Sequence, residues 1–141
     1  MAWVRAEGVA ARRCVLARRP AVLSLQLRRA YWAPHGRVKV RGHVAFPLTL
    51  DLGDLPALGQ QGPLVAALEG GSAASTYTLR AVVVHGGLAE GGGHYTALRA
   101  LSPPAQTPAQ WVGASDVDVT PVSEAAVLAA EATLLFYQAG E

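Results

Sequence analysis

The chain has 141 residues, 51% of them hydrophobic and 16% charged, and a net charge of +2. That length suits one domain with a substantial core, and the composition excludes a disordered chain. Glu131 interrupts the best long apolar run, so no membrane-spanning helix is expected.

The cations crowd into the start of the chain. Residues 1–42 hold ten Lys/Arg against the single Glu7, whereas residues 43–141 hold two Arg against nine acids. Such a split can mark a nucleic-acid-binding arm. Here the cations lie in strand-like text with no nucleic-acid motif, which favours a basic surface facing an acidic one and no nucleic-acid partner. Residues 1–19 read as a basic lead-in segment. They are Arg-rich and acid-poor like a transit peptide, but they lack its serines and run straight into a strand-like segment. Cys14 is the one cysteine, so it forms no internal disulfide and no zinc site, which suits a reducing compartment. The arginines of RRCVLARR would lower its pKa, but no glycine turn or helix start exposes a thiolate there. An incidental cysteine is the expectation.

From residue 20 the text reads mainly as strands. AVLSLQL (21–27) is short, apolar and bounded by Pro20 and the Arg28-Arg29 pair. WAPHG (32–36) carries Pro and Gly in turn positions. Val38, Val40 and residues 43–52 read as extended, with Pro47 at an edge or bulge because proline donates nothing to a ladder. Residues 53–75, rich in Gly, Pro, Ala and Ser, read as a loop insertion holding one helical turn, PLVAALE. YTLRAVVVH (77–85) has the β-branched density of a buried strand, and residues 95–101 read as its antiparallel partner. Between them stand Gly86, Gly87, Gly91, Gly92 and Gly93, with His94 at the far lip. A Pro-rich loop, SPPAQTPAQ, then leads to Trp111. Ser123 before EAAVLAAE reads as the N-cap of a short helix, and TLLFYQ (133–138) as a terminal strand. The expected fold is α+β: a mostly antiparallel β-sheet with one short helix near the C-terminus.

Three separated stretches then fall into one order. They are AVLSLQLRRAYW followed by Lys39-x4-Val44-x-Phe46-Pro47 and LDL; VVVHGGLAEGGGHY; and Trp111-x3-Ser115-Asp116-x2-Val119 closing with TLLFYQ. Together they resemble the C-terminal palm half of the catalytic domain of the ubiquitin-specific proteases, cysteine-protease deubiquitinases, over residues 20–138. Residues 139–141 would be a tail. Ser115 where most members carry Asn or Asp, with the YW-x2-HG turn and the S-P-P loop, is similar to the mitochondrial-outer-membrane member. The resemblance implies ubiquitin and ubiquitinated proteins as partners, no cofactor, no metal, and a cytosol-facing protein, at the mitochondrial outer membrane if the subtype holds. It also implies roles. His94 would be the general base for an upstream cysteine, Ser115 would orient its ring, and Asp116 would add charge through a short network or a water. The five glycines and Tyr95 would form the loop over the channel for ubiquitin's Gly-Gly tail.

The departures are as informative. No Gly-Asn-x-Cys nucleophile segment and no paired Cys-x-x-Cys zinc ligands occur in the chain. The thumb half that carries the nucleophile would therefore be a missing partner. Read without the resemblance, a histidine after three glycines is an exposed turn residue, Ser115-Asp116 a loop, Trp111 a core aromatic and His85 a strand end. A metal site from His85, His94 and Asp116 lacks ligand spacing. The chain then has two candidate functions: a deubiquitinase half that is inactive alone, or a ubiquitin-binding module of the same fold without chemistry. An in-frame Gly-Asn-x-Cys upstream of Met1 would decide for the enzyme.

Overall fold

The computed structural model describes residues 20–52, 76–87, 92–103 and 108–140. The basic lead-in with Cys14, the 53–75 insertion and Gly91 lie outside the described residues. The elements are β1 (Val22–Gln26), β2 (Ala30–Ala33), β3 (Gly36–Lys39), β4 (Thr49–Asp51), β5 (Thr76–Gly87), β6 (Gly93–Ala100), β7 (Trp111–Ser115), β8 (Asp118–Val122), α1 (Glu124–Leu128) and β9 (Ala132–Ala139). All the strand pairs are antiparallel. One sheet runs β1-β9-β5-β6-β7-β8 with β4 beside β5, and β2 and β3 form a separate ribbon.

The sheet buries one face because its apolar residues alternate. In β5, Tyr77, Leu79 and Val82 are buried, and the change from odd to even positions comes from a bulge. Leu79 pairs with Tyr137 and Ala81 with Phe136, so Arg80 is an extra residue and re-aims the side chains after it. Leu98, Trp111, Leu135 and Tyr137 complete the layer, and Val127 of α1 packs onto it. Two buried phenols keep hydrogen bonds: Tyr77 donates to Pro20 O (2.9 Å) and Tyr137 to Pro47 O (2.7 Å). Burial pushes the Tyr137 phenol up to about 12.

Helix α1 starts as its sequence predicts. Ser123 is extended (φ −74°, ψ 149°) and its Oγ accepts from the Ala126 N–H at 3.2 Å. The helix is five residues long rather than eight, because Ala132 already enters β9. β9 continues through Ala139, and the Gly140 N–H donates to Thr76 O (2.9 Å). Of the stretch 43–52 read as extended, only Thr49–Asp51 joins a ladder. Phe46 is nevertheless buried.

What positions the site is a mismatch of strand lengths. β9 begins at Ala132, opposite Val84, so His85, Gly86 and Gly87 have β6 on one side and no β9 residue on the other. The segment after β1 wraps that end instead. Arg29 donates to Ala132 O (2.9 Å) and Gly42 O (2.5 Å), and the Gly42 N–H donates to Glu131 Oε1 (3.1 Å).

Candidate active site

The site is built by two hairpins that share one edge. In the first, β5 runs two residues past His85 and pairs Gly86 with His94 and Gly87 with Gly93. His94 is the second residue of β6. Two glycines are required there by geometry. Gly87 has φ +96°, where side chains are rarely tolerated, and a Cβ on it would lie 2.8 Å from Gly92 O. A Cβ on Gly93 would fall on the His85 imidazole and 2.7 Å from Gly86 O. Gly86 is different, since its nearest contact would be an ordinary 3.6 Å to His94 O.

The second hairpin is β7–β8, which pairs Ser115 with Asp118 around the two-residue turn Asp116-Val117. Asp116 adopts φ +52°, a left-handed conformation that aspartate tolerates better than most residues. Ser115 therefore ends a strand.

Register brings the two hairpins together. The β6–β7 ladder pairs Leu98 with Gly113 and Ala97 with Ala114, and one further step sets Ser115 opposite Thr96. Thr96 shares a face with His94, so Ser115 is a diagonal neighbour of His94 on that face. The side chains meet: His94 Nε2 lies 2.6 Å from Ser115 Oγ although 21 positions separate them. When Ser115 accepts the Nε2–H, the lone pair is left on Nδ1, pointing away from the serine.

Asp116 stands beside the His94 ring, on the side away from Ser115. Its Oδ2 is 3.9 Å from His94 Nδ1, so it approaches the nitrogen opposite Ser115 and does not extend the serine's network. That distance is an ion-pair separation for a charged ring, too long for a hydrogen bond. The side chains are 49% and 82% exposed, so water screens the pair.

His85, expected to do no more than end its strand, holds both neighbours of His94. Its ring lies over Gly93 and against its cross-strand partner Tyr95, with centroids 4.6 Å apart. The signal in the sequence is the spacing itself: a bulky ring explains the glycine before the second histidine. Tyr95 is 61% exposed beside it. Gly92 (φ +111°) faces open space. A second feature belongs to a residue of the first motif to which the sequence assigns no role. Lys39 Nζ donates to His85 O (2.7 Å) and Gly87 O (2.9 Å), and Arg41 donates to Gly87 O (3.1 Å). Among the described residues, no three His, Cys, Asp or Glu side chains gather as metal ligands.

Comparison with known proteins gives this arrangement a context. The sequence profile described as ubiquitin carboxyl-terminal hydrolase matches residues 4–137. The chain is 31% identical to ubiquitin carboxyl-terminal hydrolase 27 of Arabidopsis thaliana over 155 aligned residues, covering 98% of this chain and 31% of the relative. It is 36% identical to ubiquitin carboxyl-terminal hydrolase 3 of Homo sapiens over 118 residues, covering 84% of this chain and 20% of that protein. Among solved structures it is similar to the SAGA Ubp8/Sgf11/Sus1/Sgf73 DUB module bound to ubiquitin aldehyde, with a TM-score of 0.66 and 27% identity. That match covers 86% of this chain and 25% of the other. The chain thus spans about a third or less of the length of the proteins it matches.

Proposed function

The chain belongs to the ubiquitin carboxyl-terminal hydrolase family, and from that premise we propose that it supplies the palm half of a deubiquitinating cysteine protease. The observation that carries the reading is the 2.6 Å contact between His94 Nε2 and Ser115 Oγ at the lip of the glycine hairpin. A histidine fixed through one nitrogen is prepared to take a proton on the other.

The chemistry is hydrolysis of the isopeptide or thioester bond at ubiquitin's C-terminus. His94 Nδ1 takes the proton of a cysteine thiol from the thumb half, and the thiolate attacks the carbonyl carbon. Collapse of the tetrahedral adduct breaks the bond to the leaving group, which receives that proton from His94. Water then attacks the acyl-enzyme with His94 again as base, freeing the carboxylate and the thiol. Ser115 orients the ring without adding charge. The Asp116 carboxylate stands 3.9 Å from Nδ1 and is exposed to water. In this reading Gly86, Gly87, Gly92, Gly93 and Tyr95 would border the path of ubiquitin's Gly-Gly tail, which brings no side chains to the hairpin. A solved relative bound to ubiquitin aldehyde supports ubiquitin as the partner. Ser115 with the YW-x2-HG turn supports a mitochondrial-outer-membrane subtype facing the cytosol, which imaging of the tagged protein tests.

The test is turnover of a fluorogenic ubiquitin amide. The 141 residues alone should be inactive, and activity should appear when the thumb half is supplied. His94→Ala should then cost about 10²–10⁴-fold in kcat, with Ser115→Ala costing less. Turnover by the lone chain that vanished with Cys14→Ala would make Cys14 the nucleophile and defeat this assignment. A second reading, a ubiquitin-binding module without chemistry, is favoured by the absence of a Gly-Asn-x-Cys segment from these residues. It predicts ubiquitin binding but no turnover even with the thumb half present.

A further inference from the structure

We propose that Lys39 is a positioning residue for His94, clamping the free end of β5 from outside the sheet; the inference rests on His94 being the general base. The starting point is the direction of three carbonyls. Gly86 O lies beside Gly93, toward β6. Carbonyls alternate along a strand, so those of His85 and Gly87 face the opposite edge, where β9 would stand had it begun earlier. Lys39 Nζ occupies that edge. It takes both carbonyls, at 2.7 and 2.9 Å, and Arg41 adds a 3.1 Å bond to Gly87 O. One ammonium thereby does for the strand end what a neighbouring strand does elsewhere.

The residue type fits the task. Lys39 is the only lysine in the chain, whose other eleven Lys/Arg positions are all arginine. An ammonium is a compact charge with three donors that turn freely onto acceptors two residues apart. The bonds are charge-assisted, which strengthens them relative to neutral ones.

The path to His94 is short. Lys39 holds the backbone of His85, whose ring lies over Gly93 and against Tyr95, the two chain neighbours of His94. Lys39 also holds Gly87, the cross-strand partner of Gly93. Because Lys39 is the last residue of β3, the β2–β3 ribbon and the glycine hairpin are tied into one body. Loss of the tie would let the hairpin swing and carry the imidazole out of line with the thiol.

The experiment compares Lys39→Met, Lys39→Arg and His94→Ala in the complete protease, this chain together with the half bearing the nucleophile. Each is measured for kcat and KM on a fluorogenic ubiquitin amide, per folded molecule. Lys39→Met should lower kcat about tenfold or more while KM stays within roughly threefold, because a misplaced base slows chemistry without touching most of the ubiquitin surface. Lys39→Arg, which restores charge and donors, should recover a large part of that loss. A kcat for Lys39→Met within about twofold of the parent, beside an inactive His94→Ala, would overturn the clamp and leave the base assignment standing. An active His94→Ala would overturn the base assignment itself. A Lys39→Met protein that only folds in lower yield, with kcat per folded molecule unchanged, would also overturn the clamp.

Discussion

Gly86 and Gly93 lie seven positions apart in one hairpin and face opposite demands. Gly86→Ala places its methyl at ordinary contact distance, so folded yield and thermal midpoint should stay near the parent's. Gly93→Ala drives a methyl into the His85 ring and the Gly86 carbonyl, and backbone cannot yield as a flexible side chain can. It should destabilise by about 1–3 kcal/mol, as overpacking does, and shift His94 enough to abolish most turnover. Thermal midpoints for both variants, with kcat for Gly93→Ala, check this pair. The glycines, His94 and the Ser115-Asp116 pair were legible because short motifs carry them. Lys39 stood in a motif, but its task was not legible, since the carbonyls it holds lie 46 and 48 positions away. Nor was the side from which Asp116 approaches the ring, which depends on a left-handed φ that sequence does not display.

At the scale of elements, Ser123→Ala removes the side-chain acceptor for the Ala126 N–H and should cost about 1 kcal/mol. A denaturant midpoint lowered without a change in slope would be the expected result. Ser123 and the run after it announced α1, and the β-branched density of β5 with Tyr95 beyond the glycines announced the β5–β6 hairpin. The β7–β8 hairpin stayed hidden because its turn, Asp116-Val117, lacks the Gly or Asn that usually marks a two-residue loop. The Arg80 bulge was equally silent. It arises from the fit between β5 and β9, two strands whose pairing no local pattern encodes.

For the whole molecule, the sheet ties stability to alkaline pH through Tyr137. Its phenol is raised from 10 to about 12 by burial, so the folded state keeps its proton after the unfolded chain has lost it. The associated stability is complete below pH 10 and should be lost as pH rises from 10 toward 12. Tyr137→Phe should flatten that decline while lowering stability at neutral pH by about 1 kcal/mol, because Pro47 O loses its donor. Melting curves from pH 8 to beyond 11 would separate the two effects, and an unchanged alkaline slope in the variant would exclude Tyr137 as the source. The early end of the β5–β9 ladder has a mechanical consequence as well. The hairpin projects three residues beyond its last β9 partner, roughly 10 Å at the antiparallel rise per residue. A lever of that length turns a rotation of about 5° at its root into a tip displacement near 1 Å, an error able to cost on the order of a hundredfold in rate. Stiffness at the root and the Lys39 tie at the projecting end then act together in aiming the imidazole, and any load on the β2–β3 ribbon reaches it as torque.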